Sequence, residues 1–150
     1  MNILLPIASY LIGAIPFGLL IGRLAGIDVR ASGSGNIGAT NVRRTVGTLP
    51  ALATLVGDIG KGFMPVWWAQ ALVSPGVSPW AQGYLAAVGL CALAGHLYPV
   101  FLKFRTGGKG VATSAGMLLG VAPMAVGVGF LSWIICMVVS RYVSLSSIVA

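Results

Sequence analysis

Long stretches of this sequence carry no charged side chain, and they leave few folds open to the chain. Residues 1–22 and 111–139 contain no Asp, Glu, Lys or Arg, and about 20 apolar residues are enough to cross the hydrocarbon core of a bilayer. Charged residues make up 7% of the chain and hydrophobic residues 57%, whereas about 25% of a soluble domain is charged. The sequence therefore predicts an integral membrane protein and excludes a soluble enzyme, a disordered segment and a disulfide-stapled secreted domain.

The few charges are mostly positive, which bears on the expected partners. The chain has nine Lys and Arg residues, two acids and a net charge of +7. Nucleic acid is excluded as a partner because so apolar a chain has no aqueous face on which a duplex could lie. The expected partners are the lipid bilayer, with its anionic headgroups, and phosphorylated small molecules; nothing in the sequence indicates a protein partner.

The apolar stretches and the cations between them predict an all-α, polytopic integral membrane protein with a single transmembrane domain over residues 1–150. Spans are expected at residues 1–22, continuing to residue 27, at 46–73 and at 80–102. Cations follow the first and third of these spans, so the positive-inside tendency places both loops inside and the N-terminus outside. The uncharged turn at residues 74–79 fits the outer side. We expect about five or more transmembrane helices, some broken or short.

Two arrangements are open for the uncharged stretch at residues 111–139, which is long for one helix. A single crossing would leave Arg141 outside, whereas a re-entrant or broken helix would return it to the inner side. Residues 142–150 have the composition of the start of another span, and we expect further helices beyond them. The residues that interrupt the long stretch are Gly116, Gly120, Pro123, Gly127 and Gly129.

The first inner loop, residues 32–44, has the composition of an anion-binding site. Its glycines allow the backbone to turn N–H groups toward one point, forming a nest for an anion. Hydroxyl and amide side chains add hydrogen bonds, and an arginine can grip a phosphate with two of them. A flexible polar linker is the alternative, but so dense a cluster favours a site. The candidates are Gly33, Ser34, Gly35, Asn36, Gly38, Thr40, Asn41, Arg43 and Arg44.

The third loop, residues 106–113, is a second glycine-rich segment with a lysine, and it leads into an apolar helix. Backbone N–H groups at a helix N-terminus, together with a lysine, can hold an anion. The spacing of a Walker A loop is absent. Two such loops on one membrane face could hold two phosphates. The candidates here are Gly107, Gly108, Lys109, Gly110 and Thr113, with Lys103 just before them.

Asp58 and Lys61 are the charged pair inside a predicted span. They are three residues apart and therefore share a helix face. A charge at the centre of a membrane costs roughly 2.5–3.5 kcal/mol on insertion scales. An ion pair within the span and a pair lining a polar cavity are both consistent with the spacing.

Other polar residues in the spans have both a functional and a structural interpretation. His96 could be a general base or an anion contact, or an interhelical histidine held by a hydrogen bond. Ser144, Ser146 and Ser147, near Arg141, could form a third polar patch or pack helices together.

Four stretches of the chain carry a more specific signal. They are residues 10–18 (YLIGAIPFG), 33–41 (GSGNIGATN) with Arg44, 58–62 (DIGKG), and 95–101 (GHLYPVF) running on to 107–113 (GGKGVAT). In order and spacing they resemble the bacterial glycerol-3-phosphate acyltransferases that use acyl phosphate as donor. Residues 142–147 (YVSLSS) also resemble that family, so the resemblance covers most of the chain.

The resemblance implies an all-helical protein of the bacterial inner membrane whose site faces the cytoplasm. The family transfers a fatty acyl group from acyl phosphate to the sn-1 hydroxyl of glycerol 3-phosphate, giving lysophosphatidic acid and phosphate, the first step of phospholipid synthesis. Arg44 is preferred to Arg43, which falls where the family motif varies. Family members continue into a C-terminal polar motif that this sequence lacks, so part of the glycerol-phosphate pocket is expected to be missing.

Roles in the site follow from the motif match and from the loop composition together. Catalytic roles are expected for Ser34, Arg44, Lys109 and His96. Substrate binding is expected from Gly33, Gly35, Asn36, Gly38, Thr40, Asn41, Lys61, Lys103, Gly107, Gly108, Gly110, Thr113, Ser144 and Ser147.

The expected chemistry needs charge neutralisation more than an enzyme nucleophile, because an acyl phosphate is already an activated anhydride. We expect no cofactor and no metal, since two acids and one histidine cannot build a metal cluster of the usual kind. The alternative from another class is a membrane transporter of a phosphorylated metabolite, which broken helices and cations would also suit.

Overall fold

Eight α-helices and one 3₁₀ turn make up the described part of the chain, residues 3–73, 78–105 and 107–149 of a computed structural model; the side chains of residues 143, 144 and 147 are not described. The helices are α1 (Leu4–Gly13), α2 (Phe17–Leu24), α3 (Ala39–Thr45), α4 (Thr48–Leu72), α5 (Pro79–Leu97), α6 (Val111–Val121), α7 (Pro123–Ser140) and α8 (Val143–Val149), with the 3₁₀ turn at Val100–Leu102. No β-strand occurs among these residues, and the predicted all-α class is confirmed.

The first apolar span is broken in its middle, between α1 and α2. Pro16 has no N–H to donate and cannot continue the helix, so α2 begins at Phe17. The break frees the carbonyl of Ile15, which accepts hydrogen bonds from the Phe17 N–H (3.1 Å) and from Lys61 Nζ (2.9 Å). A side chain from α4 thus satisfies the interrupted backbone, as the interior of a membrane requires.

Helix α4 lies at the centre of the fold and is about 37 Å long at 1.5 Å per residue. It packs against α6 most extensively, and also against α1, α2, α3 and α5. Glycines allow the close approach of α6: a Cβ on Gly62 would overlap the Thr113 carbonyl, and one on Gly116 would overlap the Ile59 carbonyl. Gly116 therefore packs two helices together and does not interrupt its own, contrary to the sequence-based expectation.

The long uncharged stretch is broken, and the break lies at Ala122. This residue (φ −144°, ψ 67°) ends α6, and Pro123 begins α7, a position where the missing N–H of proline is tolerated. Gly120, like Gly116, lies inside α6, and Gly127 and Gly129 lie inside α7. The predicted break is confirmed at the proline and is wrong at these glycines. The side of the membrane on which Arg141 lies stays a prediction.

Three segments among the described residues are long and apolar enough to cross a membrane: Leu4–Leu24, Pro79–Leu102 and Pro123–Ser140. The first two agree with the predicted first and third spans. The predicted second span forms α4, which is long enough to cross but contains Asp58 and Lys61. The total number of crossings and the outer position of the N-terminus stay predictions. Residues 74–77 of the predicted outer turn lie outside the described residues.

Candidate functional site

A cleft of about 440 Å³ lies where the first inner loop, α3, α4, the end of α5 and the start of α6 meet. Its size is within the range of small-molecule sites, roughly 300–1,000 Å³. The two glycine-rich loops that the sequence places on one membrane face both contribute to it. The lining residues are Ser34, Asn36, Gly38, Ala39, Thr40, Asn41, Arg44, Leu55, Asp58, Ile59, His96, Lys109, Gly110, Val111, Ala112 and Ala115.

Asn41 organises the first loop. Its side chain is 2% exposed, and its Nδ2 donates to the carbonyls of Val29 (2.8 Å), Asn36 (2.8 Å) and Ser32 (3.1 Å). Its Oδ1 accepts the N–H of Ser34 at 2.9 Å. Because the loop backbone uses both ends of this amide, Asn41 shapes the cleft wall, although the sequence analysis expected it to bind substrate.

Two of the three glycine N–H groups that the sequence analysis assigned to a nest are used within the first loop itself. The N–H of Gly35 donates to the Ser32 carbonyl (3.1 Å) and that of Gly38 to Asn36 Oδ1 (2.8 Å), so neither N–H is free for an anion. Gly33 has a φ of 60° and lies against Asn41, where a Cβ would overlap the amide oxygen. The left-handed backbone and the close approach both require glycine there.

Removing the Asn41 amide is expected to destabilise this loop. In Asn41→Ala, the carbonyls of Val29 and Asn36 and the N–H of Ser34 lose their partner, whereas the Ser32 carbonyl keeps the Gly35 N–H. A buried polar group left unsatisfied costs about 1–3 kcal/mol. The thermal unfolding of the protein in lipid measures the loss. Asn36→Ala is the matched control, because the Asn36 side chain accepts only one N–H, from Gly38. Equal loss of stability in the two variants would contradict the organising role of Asn41.

The anion-binding character of the cleft comes from two helix N-termini and two cations. Ala39 and Thr40 in the first turn of α3, and Val111 and Ala112 in the first turn of α6, line the cleft. First-turn N–H groups have no partner within their own helix and carry a partial positive charge. Two exposed cations, Arg44 and Lys109, lie on the same lining. The neighbouring Arg43 is exposed but is not part of the lining.

One wall of the cleft is apolar. Leu55 and Ile59, one turn apart on α4, face Val111 and Ala115, one turn apart at the start of α6. Leu55 is 38% and Val111 77% exposed, so this wall is open at the surface of the protein. The sequence analysis did not identify this wall; the four-residue spacing within each pair was the available signal. The cleft can therefore hold an anionic group attached to an apolar chain.

Asp58 and Lys61 form a buried ion pair, and only Asp58 reaches the cleft. Lys61 Nζ lies 2.9 Å from Asp58 Oδ1, and the two side chains are 2% and 5% exposed. The ion-pair interpretation is confirmed, and Asp58 also lines the cavity. The ammonium of Lys61 is used by Asp58 and by the Ile15 carbonyl, so Lys61 holds structure at this position. His96 lines the cleft, with Nδ1 3.7 Å from Asp58 Oδ1.

Several expected binding residues do not line the cleft. Lys103 is exposed after the 3₁₀ turn, with a φ of 53°. Gly108 packs against the end of α5, where its N–H donates to the His96 carbonyl (3.2 Å), and a Cβ on Gly107 would overlap the Leu97 carbonyl. Thr113 is fully buried in α6. Gly33 and Gly35 belong to the first loop but are not part of the cleft lining.

Of the three serines in the expected third polar patch, Ser146 is the one whose side chain the structure describes. Ser146 is buried, and its hydroxyl donates to the Tyr142 carbonyl at 2.9 Å, which is a local bond within the start of α8. The burial of Ser146 agrees with the packing interpretation, whereas the local bond supports neither interpretation. The side chains of Ser144 and Ser147, and Thr106 of the third loop, lie outside the described residues, so their expected roles stay predictions.

These features define a class of protein: an all-helical integral membrane protein with a cationic cleft that has one apolar wall. The family model for glycerol-3-phosphate acyltransferase matches residues 3–150. The chain belongs to the glycerol-3-phosphate acyltransferase family, as the resemblance of its motifs implied.

Individual relatives agree with this assignment. The chain is 49% identical to the glycerol-3-phosphate acyltransferase of Geobacter sulfurreducens over 99% of its own length and 73% of that protein. It is also 49% identical to the enzyme of Rubrobacter xylanophilus, over 99% of this chain and 71% of that protein. A similar solved structure is the crystal structure of PlsY, an integral membrane glycerol 3-phosphate acyltransferase, in its glycerol 3-phosphate form. That structure shares 43% identity and a TM-score of 0.79, over 97% of this chain and 70% of that one.

Proposed function

We propose that this protein transfers a fatty acyl group from acyl phosphate to the sn-1 hydroxyl of glycerol 3-phosphate, giving lysophosphatidic acid and phosphate, the first step of phospholipid synthesis. The observation that carries the proposal is the cleft that joins cations and helix N-termini to an apolar wall. The similarity to PlsY, whose crystal structures include a glycerol 3-phosphate form and a lysophosphatidic acid form, supports it.

The two ends of the cleft bind the two parts of the substrates. Arg44, Lys109 and the first turns of α3 and α6 bind the phosphate groups, since aligned N–H dipoles and cations favour anions. The acyl chain lies along Leu55 and Val111 and continues into the bilayer. Holding donor and acceptor together in this way supplies the proximity that the transfer requires.

The reaction needs no covalent enzyme intermediate. The sn-1 oxygen of glycerol 3-phosphate attacks the acyl carbonyl carbon, the bond from that carbon to the phosphate oxygen breaks, and phosphate leaves. The hydroxyl proton passes to a substrate phosphate oxygen. Ser34, which Asn41 fixes through its N–H, is placed on the lining as a donor to the developing oxyanion. Lys109 and Arg44 neutralise the leaving phosphate.

The same cations predict the orientation of the protein in the membrane. We propose that the protein lies in the bacterial inner membrane with the cleft facing the cytoplasm and the N-terminus outside. Support comes from the segments 23–45 and 103–113, which contain seven of the nine Lys and Arg residues of the chain and include the first and third loops that meet at one cleft. Loops rich in Lys and Arg stay on the cytoplasmic side.

Phosphate release from palmitoyl phosphate tests the proposed reaction. We expect the purified protein in lipid to release phosphate only when glycerol 3-phosphate is present, with lysophosphatidic acid formed in equal amount. Entry of unchanged glycerol 3-phosphate into vesicles, with no release of phosphate, would overturn the proposal in favour of the transporter.

Adjacent arginines provide a matched test of phosphate binding. Arg44→Gln is expected to raise the KM for the phosphorylated substrates about 10- to 100-fold, because a hydrogen bond to a charged group contributes about 1.5–3 kcal/mol. Arg43→Gln removes the same charge one residue earlier on α3, outside the lining, and is expected to change KM by about twofold or less. Steady-state kinetics in lipid measure both variants. Equal effects would show that the site responds only to net charge.

A further inference from the structure

In addition to its ion pair with Lys61, the carboxylate of Asp58 lies close to the imidazole of His96. Asp58 Oδ1 accepts from Lys61 Nζ at 2.9 Å and lies 3.7 Å from Nδ1 of His96. The His96 side chain is 4% exposed, and its Nδ1 has no hydrogen-bond partner among the described residues. A separation of 3.7 Å is within range of an electrostatic contact but is too long for a hydrogen bond, so this nitrogen faces a carboxylate to which it is not hydrogen-bonded.

The position of the carboxylate selects one form of the imidazole. A neutral histidine carries its proton on one ring nitrogen and a lone pair on the other. A proton on Nδ1 would be attracted to the nearby carboxylate, whereas a lone pair there would be repelled. The carboxylate beside Nδ1 therefore favours the form that carries its proton on Nδ1 and its lone pair on Nε2.

The Nε2 side of the His96 ring lies against the third loop, residues 106–113. A Cβ on Gly108 would overlap Nε2 of His96, so the loop backbone lies directly against this nitrogen. The next two residues, Lys109 and Gly110, line the cleft, as does His96 itself. Nε2 is thus held beside the loop to which the phosphate-binding lysine belongs.

We propose that Asp58 is a positioning residue that acts through His96. It holds the imidazole with its proton on Nδ1 and so presents Nε2 to accept a hydrogen bond from the hydroxyl of the bound acceptor substrate. When the oxygen attacks the acyl carbon, the hydroxyl proton leaves this hydrogen bond and passes to a substrate phosphate oxygen. Lys61, anchored on the Ile15 carbonyl, keeps the carboxylate in place. This role rests on the proposed acyl transfer to glycerol 3-phosphate and adds to it a group that orients the attacking hydroxyl.

Kinetics of Asp58→Asn test the effect on the reaction. We expect kcat to fall about 10- to 100-fold, as when the carboxylate behind a functional histidine is lost, with little change in the KM for palmitoyl phosphate. The matched control is Asp28→Asn at the one other acid of the chain. Asp28 lies outside the cleft lining and pairs with Arg30, whose hydrogen bonds hold the pKa of Asp28 well below its usual range. A normal kcat in Asp58→Asn, or an equal loss in the control, would overturn the proposal.

The single histidine of the chain allows a direct readout. In protein labelled with ¹⁵N at histidine, nitrogen NMR is expected to show Nδ1 protonated and Nε2 unprotonated in the wild type. The proton is expected to shift toward Nε2 in Asp58→Asn and in Asp58→Asn/Lys61→Met, where no ammonium is left unpaired. A wild-type proton on Nε2, or the same form in all three proteins, would refute the role of Asp58. This measurement needs no turnover, so its failure is distinct from a failure of the proposed reaction.

A double-mutant cycle separates positioning from simple support of the fold. If Asp58 acts through His96, the Asp58→Asn change is expected to cost little further kcat in a His96→Gln background, because contacting residues that act together are not additive. Independent, additive losses would contradict the proposal.

Discussion

Replacing Lys109 with alanine is expected to lower kcat/KM for palmitoyl phosphate by about 100- to 1,000-fold, the range seen when one donor to developing charge is removed from an active site. Lys109 lies on the cleft lining directly before the first turn of α6. In the proposed function its ammonium and the helix N-terminus bind the same phosphate, so the variant would keep the helix dipole but lose the full charge. Phosphate release in lipid at varied donor concentration measures the effect.

Two further variants make that result specific. Lys109→Arg retains a cation and is expected to recover part of the activity, less than fully because the planar guanidinium presents its donors differently. Arg105→Ala removes an exposed cation of the same loop that is absent from the lining, and its activity is expected to change by about twofold or less. Full activity and an unchanged KM for the donor in Lys109→Ala would show that the phosphate is held elsewhere.

The second large effect is expected at the contact between α4 and α6. In Gly62→Ala the new methyl group would overlap the Thr113 carbonyl and lie 3.0 Å from the backbone nitrogen of Met117. Both obstacles are backbone, so the helices must move apart, and overpacking of this kind costs about 1–3 kcal/mol or more. Because these helices provide the apolar wall and Asp58, activity is expected to fall together with stability.

Gly60→Ala is the control, since it lies two residues earlier on the same helix and a Cβ there has nothing within 4 Å. Alanine is favoured over glycine inside a helix by up to about 1 kcal/mol, so the stability of this variant is expected to be unchanged or higher. Thermal unfolding in lipid measures the difference in stability between Gly62→Ala and Gly60→Ala. If Gly62→Ala were as stable as Gly60→Ala, the close contact between α4 and α6 would be refuted.

The helices, and the meeting of the first and third loops, could be predicted from the sequence because the sequence signals for them are local. Apolar length predicted α4 and α5, Pro123 predicted the break after α6, and the positive-inside tendency placed the loops with Arg44 and Lys109 on one side. Those loops do meet at one cleft.

The parts that sequence reasoning missed depend on contacts between distant segments. Composition showed that Asn41 is polar but not that the loop backbone would use its amide. Spacing put Asp58 and Lys61 on one helix face, but packing against α1 and α2 decided that Lys61 would turn to Ile15. Gly116 was expected to interrupt a helix because its packing role exists only once α4 lies against it.

The break in the first span restricts the amino-acid substitutions that this protein can accept during evolution. In an unbroken helix the Ile15 carbonyl would accept from the N–H four residues on, and Lys61 would lose one of its two acceptors and keep only Asp58. Pro16, which is not part of the cleft lining, therefore restricts which residues position 61 can accept. Replacements at positions 16 and 61 are expected to arise together in lineages, as a linked pair of substitutions, although 45 residues separate them in the sequence.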